Sequence, residues 1–342
     1  MKKVLIRSDA SDRTGAGHVM RSVAIAQCIE RNRGEVVFLT ATRDERIRQY
    51  LKNQRFETVF LDLPLDDCGT AKDLEIILPL LNAGYDWMVL DNDYFDHDFQ
   101  RAIRLSGTRL LVLDDRNERR FDVDLLVNHA LDAEKLGYRS PISGRLLLGS
   151  SYALIRQEFL SVAPKREKGM SRLLVTLGGS VQQEIGAKII RAVRSLNGRL
   201  FEIRWVGGFS EKPPKTLPEN LPCVEWIPAT LDIAPHYDWA DLVVCAGGGT
   251  CWELCFMGLV GLVGALAPHQ LPVADALSMH GIFTSLGSYA NVTESVLAEG
   301  LAKVLDDPAG LEAKRVKARS FVDGKGTQRI VDVMKELTRE KL

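Results

Sequence analysis

The chain has 342 residues, 46% hydrophobic and 26% charged, with Lys+Arg 44 against Asp+Glu 45 for a formal net charge of -1. At roughly 150 residues per domain that length predicts about two domains, and the apolar share excludes a largely disordered chain. The balanced charge argues against nucleic acid as a partner, and no apolar run reaches the roughly 20 residues that a bilayer span requires.

The first nine residues hold only three consecutive apolar side chains, Val4, Leu5 and Ile6, before charge returns. That is too short for a secretory core, so the expected compartment is the cytoplasm. Residues 4–6 predict a strand, and 19–30 a helix with Val19, Val23 and Ala26 at helical spacing. Strands are expected at 36–39 and 58–61 with a helix at 44–52 between them. A helix at 74–81 follows, kinked or ended by Pro79, then strands at 87–90 and 110–113. Such alternation implies parallel pairing through crossover helices.

After residue 113 the pattern breaks, and the polar, basic run 163–169 with Pro164 reads as a linker. Alternation then resumes, with strands at 173–177, 201–206, 242–245 and 261–266 and helices at 184–196 and 295–305. The apolar run 256–267 reads as a buried strand with its flanks, and a last helix follows Gly326. The expected architecture is two α/β domains of similar size. The six cysteines (Cys28, Cys68, Cys223, Cys245, Cys251 and Cys255) form no C-x-x-C pair and read as buried thiols rather than a zinc or disulfide framework.

Open parallel sheets bind ligands outside the carboxyl ends of their strands, so chemistry is expected just after these strands. After the first strand come Gly15, Gly17 and His18, then a helix. The glycines allow positive φ and close backbone approach, but Met20 replaces the third glycine of a dinucleotide fingerprint and no acidic residue ends the second strand. His18 is either a capping residue or a general base; the positive end of a helix favours the neutral imidazole that a base requires. Arg21 reads as a phosphate or carboxylate binder, or as a solvated cation.

Two glycine turns mark the second half. Leu177-Gly178-Gly179-Ser180 and Ala246-Gly247-Gly248-Gly249-Thr250 each follow a strand and present the backbone N–H groups that hold a diphosphate. Neither is a P-loop, nor is Gly324-Lys325-Gly326-Thr327. Thr250 and Glu253 are spaced as a capping box, or Glu253 accepts from ribose hydroxyls. Beyond a later strand, His269 and Gln270 either face a ligand or belong to a plain loop. The acidic run from Asp91 to Asp98 lacks the third oxygen ligand and the glycine of a calcium loop, so no metal site is expected. Asp91 and Tyr94 are its candidates for holding sugar hydroxyls or amides.

Taken together, Gly15-Ala16-Gly17-His18-Val19-Met20-Arg21, the Gly-Gly-Ser turn and Gly247-Gly248-Gly249-Thr250-Cys251-Trp252-Glu253 make the chain resemble the UDP-sugar hydrolases of pseudaminic acid biosynthesis. Leu147 to Arg156 and Val322 to Gly326 extend the resemblance along most of the chain. Those hydrolases are similar in fold to the glycosyltransferases that add N-acetylglucosamine to lipid-linked peptidoglycan precursors. The resemblance implies a GT-B fold, with two Rossmann-like domains whose parallel sheets face a cleft. It places the catalytic base and sugar side in residues 1–160, UDP in 171–322, and a helix at 323–342 crossing back to the first domain.

The same resemblance implies loss of UDP from UDP-2,4-diacetamido-2,4,6-trideoxy-β-L-altropyranose by C–O cleavage with inversion, without metal or cofactor. His18 would deprotonate the water. Gly179, Ser180, Gly248, Gly249 and Thr250 would hold the diphosphate, and Glu253 the ribose. The implied partners are the UDP-sugar and other enzymes of its pathway, with no nucleic acid or membrane. The chain departs from the family in carrying Pro268-His269-Gln270 where Asp-Asn-Gln is common, and Val181 after Gly178-Gly179-Ser180 where Asp is. A GT-B glycosyltransferase using a UDP-sugar donor and a non-catalytic nucleotide-sugar binding protein are the alternatives.

Overall fold

The apolar runs assemble into two parallel sheets in a computed structural model. It describes residues 1–11, 15–138, 144–162, 169–179, 182–196, 202–208, 212–213 and 223–340. The chain divides into two units, Met1–Gln157 with Gly324–Leu342, and Glu158–Asp323. Most of the expected linker, 163–168, lies outside the described residues.

In the first unit β1 (Lys3–Ser8), α1 (Gly17–Arg31), β2 (Glu35–Thr40), α2 (Glu45–Lys52), β3 (Glu57–Phe60), α3 (Ala71–Leu81), β4 (Trp87–Asp91), α4 (His97–Leu105), β5 (Arg109–Leu113), β6 (Leu125–Asn128) and β7 (Arg145–Leu148) follow in turn. Their sheet runs β3-β2-β1-β4-β5-β6-β7, every pair parallel. Helices cover both faces, which is why β4 is buried at every position and reads as continuously apolar until Asp91. Leu5, Met88, Leu90 and Leu110 are fully buried, each such side chain contributing roughly 1.5–3 kcal/mol by leaving water.

Asp44, Thr70 and Asp96 accept first-turn N–H groups of α2, α3 and α4 and fix where those helices start. Pro79 is carried inside α3, which continues to Leu81. The sequence pattern misses β6 and β7 because each has only four residues, after stretches rich in charge.

The second unit opens within α5 (Gln157–Ser161), at Glu158. It continues through β8 (Arg172–Thr176), α6 (Gln183–Arg194), β9 (Glu202–Val206), β10 (Cys223–Ile227), α7 (Ala234–Trp239), β11 (Leu242–Ala246), α8 (Thr250–Met257), β12 (Gly261–Ala265), α9 (Leu271–Met279), β13 (Thr284–Ser288), α10 (Glu294–Leu305) and α11 (Pro308–Phe321). Its parallel sheet runs β10-β9-β8-β11-β12-β13. The apolar run 256–267 is therefore not one strand. Phe256 and Met257 end α8, Gly258 turns the chain at φ 63°, and β12 follows.

Asp241 accepts from the N–H groups of Gly169, Ser171 and Arg172 at 2.8–3.1 Å and anchors the entry to β8. The last helix, α12 (Gly326–Arg339), belongs to the first unit and packs on α1, where the Gln328 Oε1 accepts from Asn32 Nδ2 at 3.0 Å. Gly326 is tight against Ala153, whose carbonyl oxygen lies 2.3 Å from where a Cβ would sit. Cys28, Cys68, Cys245, Cys251 and Cys255 are free, buried thiols.

Candidate functional site

In the first sheet β1 and β4 are neighbours, yet the chain leaves β1 toward β2 and β4 toward β5. Their carboxyl ends therefore flank the point where strand order reverses, the usual ligand position in an open parallel sheet. Ser8 pairs with Asp91 there. The loop from β1 to α1 is closed by Gly15 N–H donating to Ser11 O at 2.7 Å, with Gly15 at φ 69°, a left-handed conformation suited to glycine. Helix α1 then begins with Gly17 and His18, with no side-chain cap and no acidic residue in its first turn.

His18, Arg21 and Ser22 on α1 converge on Asp91. His18 Nδ1 lies 2.7 Å from Asp91 Oδ1, Arg21 Nε donates to Oδ2 at 2.7 Å and Arg21 Nη2 to Oδ1 at 2.6 Å, and Ser22 Oγ donates to Oδ2 at 3.1 Å. The Asp91 side chain is fully buried, and that of His18 is 16% exposed. Burial would raise the Asp91 carboxyl, but Arg21 and then His18 beside it hold it below the usual carboxylate range. An ionised carboxylate only accepts, so Nδ1 carries a proton, and in the neutral form of the ring Nε2 is the nitrogen with the lone pair. Arg21 Nη2 is 3.2 Å from His18 Nδ1; with both bearing hydrogens, the two converge on one Asp91 oxygen rather than bond to each other.

Arg21 also donates from Nη1 to Asp115 Oδ1 at 2.6 Å. Its guanidinium thus faces two protein carboxylates and is neither a solvated cation nor an uncommitted anion binder. Asp115 lies just beyond β5. His129, the residue after β6, is buried in the same charge cluster; burial, then Arg21, pushes its imidazole down to about 4. His129 went unrecognised in the sequence because β6 did, and an imidazole directly after a strand is the signal that would have found it.

Tyr94 is committed elsewhere. Its hydroxyl donates to Asp9, which also pairs with Arg7 at 2.5 Å and accepts from Thr40 Oγ1 at 3.2 Å and Ala41 N at 2.5 Å. Asn92 closes the set by accepting from Asp9 N at 2.8 Å. These bonds hold Asp9, the first residue after β1. Asp91 likewise spends its oxygens on His18, Arg21 and Ser22, a supporting position rather than an open sugar contact.

The second sheet reverses its order between β8 and β11, and both glycine turns lie at that point. Gly178 has φ 89° and Gly179 follows it; Ser180 and Val181 lie outside the described residues. After β11, Gly247 passes so close to the next turn that a Cβ there would meet Gln270 O at 2.7 Å and Ala274 Cβ at 3.3 Å. Gly248 N donates back to Ala246 O at 2.9 Å.

Gly249 is the cap of α8 and offers no side chain, so Thr250 is the first helical residue and the capping box is not formed. Among the described residues the N–H groups of Gly249 and Thr250 have no partner. Gln270 closes a short turn, Pro268–Gln270, in which His269 is exposed. Its Oε1 accepts from Leu266 N at 2.9 Å, and its Nε2 lies 4.0 Å from where a Gly248 Cβ would sit. Two free N–H groups at a helix start, with an amide beside their turn, favour an anion. Glu253 sits half-buried in the first turn of α8. Among the described residues no group of three or more His, Cys, Asp or Glu is placed to hold a metal ion, and no helix is long and apolar enough to cross a membrane.

No protein-family model matches the chain. The UDP-N-acetylglucosamine–N-acetylmuramyl-(pentapeptide) pyrophosphoryl-undecaprenol N-acetylglucosamine transferase of Azotobacter vinelandii is 38% identical over 120 residues, 34% of this chain and 33% of that protein. The UDP-2,4-diacetamido-2,4,6-trideoxy-beta-L-altropyranose hydrolase of Campylobacter jejuni is 23% identical over 189 residues, 55% of this chain and 64% of that protein. The chain thus spans about a third of the first relative's length and less than two thirds of the second's. Among solved structures, MurG of Acinetobacter baumannii superimposes with a TM-score of 0.69 at 19% identity, covering 98% of this chain and 100% of that one. With two parallel-sheet Rossmann-like units, the chain has the GT-B fold.

Proposed function

We propose that this protein is a hydrolase that removes UDP from a UDP-linked 2,4-diacetamido-2,4,6-trideoxy sugar. It breaks the anomeric C–O bond with inversion and without a metal, and serves nonulosonic acid biosynthesis of the pseudaminic type. The observation that carries the reading is the His18–Asp91 hydrogen bond, which commits Nδ1 as donor and supports Nε2 of the neutral ring as the base. The partial likeness to the Campylobacter jejuni hydrolase supports the substrate class.

In this reaction His18 Nε2 takes a proton from water as the water oxygen bonds to the anomeric carbon. The C–O bond to the diphosphate breaks, and its electron pair leaves with UDP. Asp91 holds the ring in one tautomer and meets the imidazolium as it forms. The N–H groups of Gly249 and Thr250, with the Gln270 amide, take up the charge growing on the diphosphate, and such preorganised donors cost no reorganisation during the step. Gly179 and Ser180 complete the nucleotide loops, and Glu253 accepts from the ribose.

A second reading, transfer of sugar from a UDP donor to an acceptor hydroxyl, is favoured by the 38% match to a transferase. Proton NMR of the protein with the UDP-sugar alone separates the two. Free sugar appearing first with inverted anomeric configuration supports the hydrolase; release only after an acceptor is added supports the transferase. UDP binding by calorimetry without any release contradicts both.

A further inference from the structure

We infer that Asp115 is a positioning residue for the His18–Asp91 pair, acting through the Arg21 guanidinium; the inference rests on the base role proposed for His18. One arginine side chain here ties three elements together. Nε and Nη2 fork onto both oxygens of Asp91 at the end of β4, while Nη1 reaches Asp115 beyond β5 at 2.6 Å, and Arg21 itself stands on α1 one turn after His18. A guanidinium held at both ends of its fork cannot rotate. That matters because Nη2 and the His18 ring share the same Asp91 oxygen.

Charge gives the second argument. One guanidinium against two carboxylates leaves the cluster one net negative charge facing the imidazole, which stabilises the protonated ring formed in the reaction. With Asp115 neutral, Arg21 balances Asp91, the cluster carries no net charge, and the protonated ring keeps only its direct bond to Asp91. Neither His129, coupled to the same cluster, nor Arg156, which reaches α1, replaces the lost charge. His129 is held neutral down to about 4 by burial and Arg21, and Arg156, whose Nη1 lies 3.7 Å from Met20 Sδ on α1, is itself a cation.

The Asp115 side chain is 41% exposed and Arg21 keeps its fork on Asp91, so Asp115→Asn should fold. The test is NMR titration of the His18 ring in the full-length protein, with the kcat–pH profile measured alongside. Asp115→Asn should lower the His18 titration midpoint and move the acid limb of kcat the same way, to lower pH. It should reduce plateau kcat about tenfold with KM within about twofold, since a weaker, looser base loses part of the general-base factor. Asp115→Glu should restore both. An unchanged His18 midpoint in Asp115→Asn overturns the inference; should that variant not fold, Asp115→Ser carries the same titration. If the unaltered protein releases no sugar, the proposed function fails, while the ring titration still decides the role of Asp115.

Discussion

Asp91, fully buried at the end of β4, accepts from His18 Nδ1 at 2.7 Å across 73 residues of sequence. A buried carboxylate is costly unless its oxygens are satisfied, and here two N–H donors of Arg21 and the Ser22 hydroxyl join the imidazole to satisfy them. The pair is therefore a fixed geometry with one imidazole nitrogen left over.

Asp91→Asn tests that fixity. An amide can turn its NH2 toward Nδ1 and reverse the tautomer, leaving Nε2 protonated and unable to act as base. The expected result is a kcat loss of roughly 10²–10⁴-fold, with UDP affinity by calorimetry within about twofold, since the loops proposed to hold UDP belong to the other unit. Retention of kcat would contradict the tautomer assignment.

The buried His129 sets an acid sensitivity. Its imidazole sits at about 4 in the folded protein against an ordinary 6.5. Between those values the unfolded chain binds a proton that the folded chain refuses. Stability from this group is complete above 6.5 and is lost as pH falls toward 4, by on the order of 3 kcal/mol at most. Urea midpoints measured from pH 7 to 4.5 should fall, and His129→Asn should flatten the decline across that window.

Much of this arrangement is visible in the sequence, and its limits are instructive. Strands of five or six residues with nearly continuous apolar side chains, such as β4 and β11, announce themselves because both faces are covered. The four-residue β6 and the part-exposed β13, which carries Gly287 at φ 68°, do not. The glycine turns and His18 are legible because they interrupt periodic patterns at strand ends. The partnerships are not. Nothing local says that Asp91 serves His18 and Arg21, or that Tyr94 serves Asp9, because strand order decides both. The Thr250–Glu253 spacing suggests a capping box, yet the backbone of Gly249 takes the cap position at φ -55° and leaves the helix start bare.

Gly247→Ala should damage the glycine turn after β11, proposed to hold UDP, from within. The added methyl would stand 2.7 Å from the Gln270 carbonyl oxygen, a backbone atom that cannot move alone. Overpacking of this kind costs about 1–3 kcal/mol. The thermal midpoint should drop and UDP binding should weaken about tenfold or more; unchanged calorimetry would show that the turn does not hold the nucleotide.

Gln270→Ala removes the amide beside the free N–H groups and the acceptor for Leu266 N. A hydrogen bond to a charged group contributes about 1.5–3 kcal/mol. UDP affinity should therefore fall roughly 10- to 100-fold; unchanged affinity would contradict a role for this amide in holding the diphosphate.

The most direct test is turnover by His18→Ala, with UDP affinity measured on the same sample. The proposed base role requires kcat for release of sugar from the UDP-sugar to drop at least about 100-fold while calorimetry finds UDP bound within about twofold of the unaltered protein. Near-normal turnover by the alanine variant would contradict it.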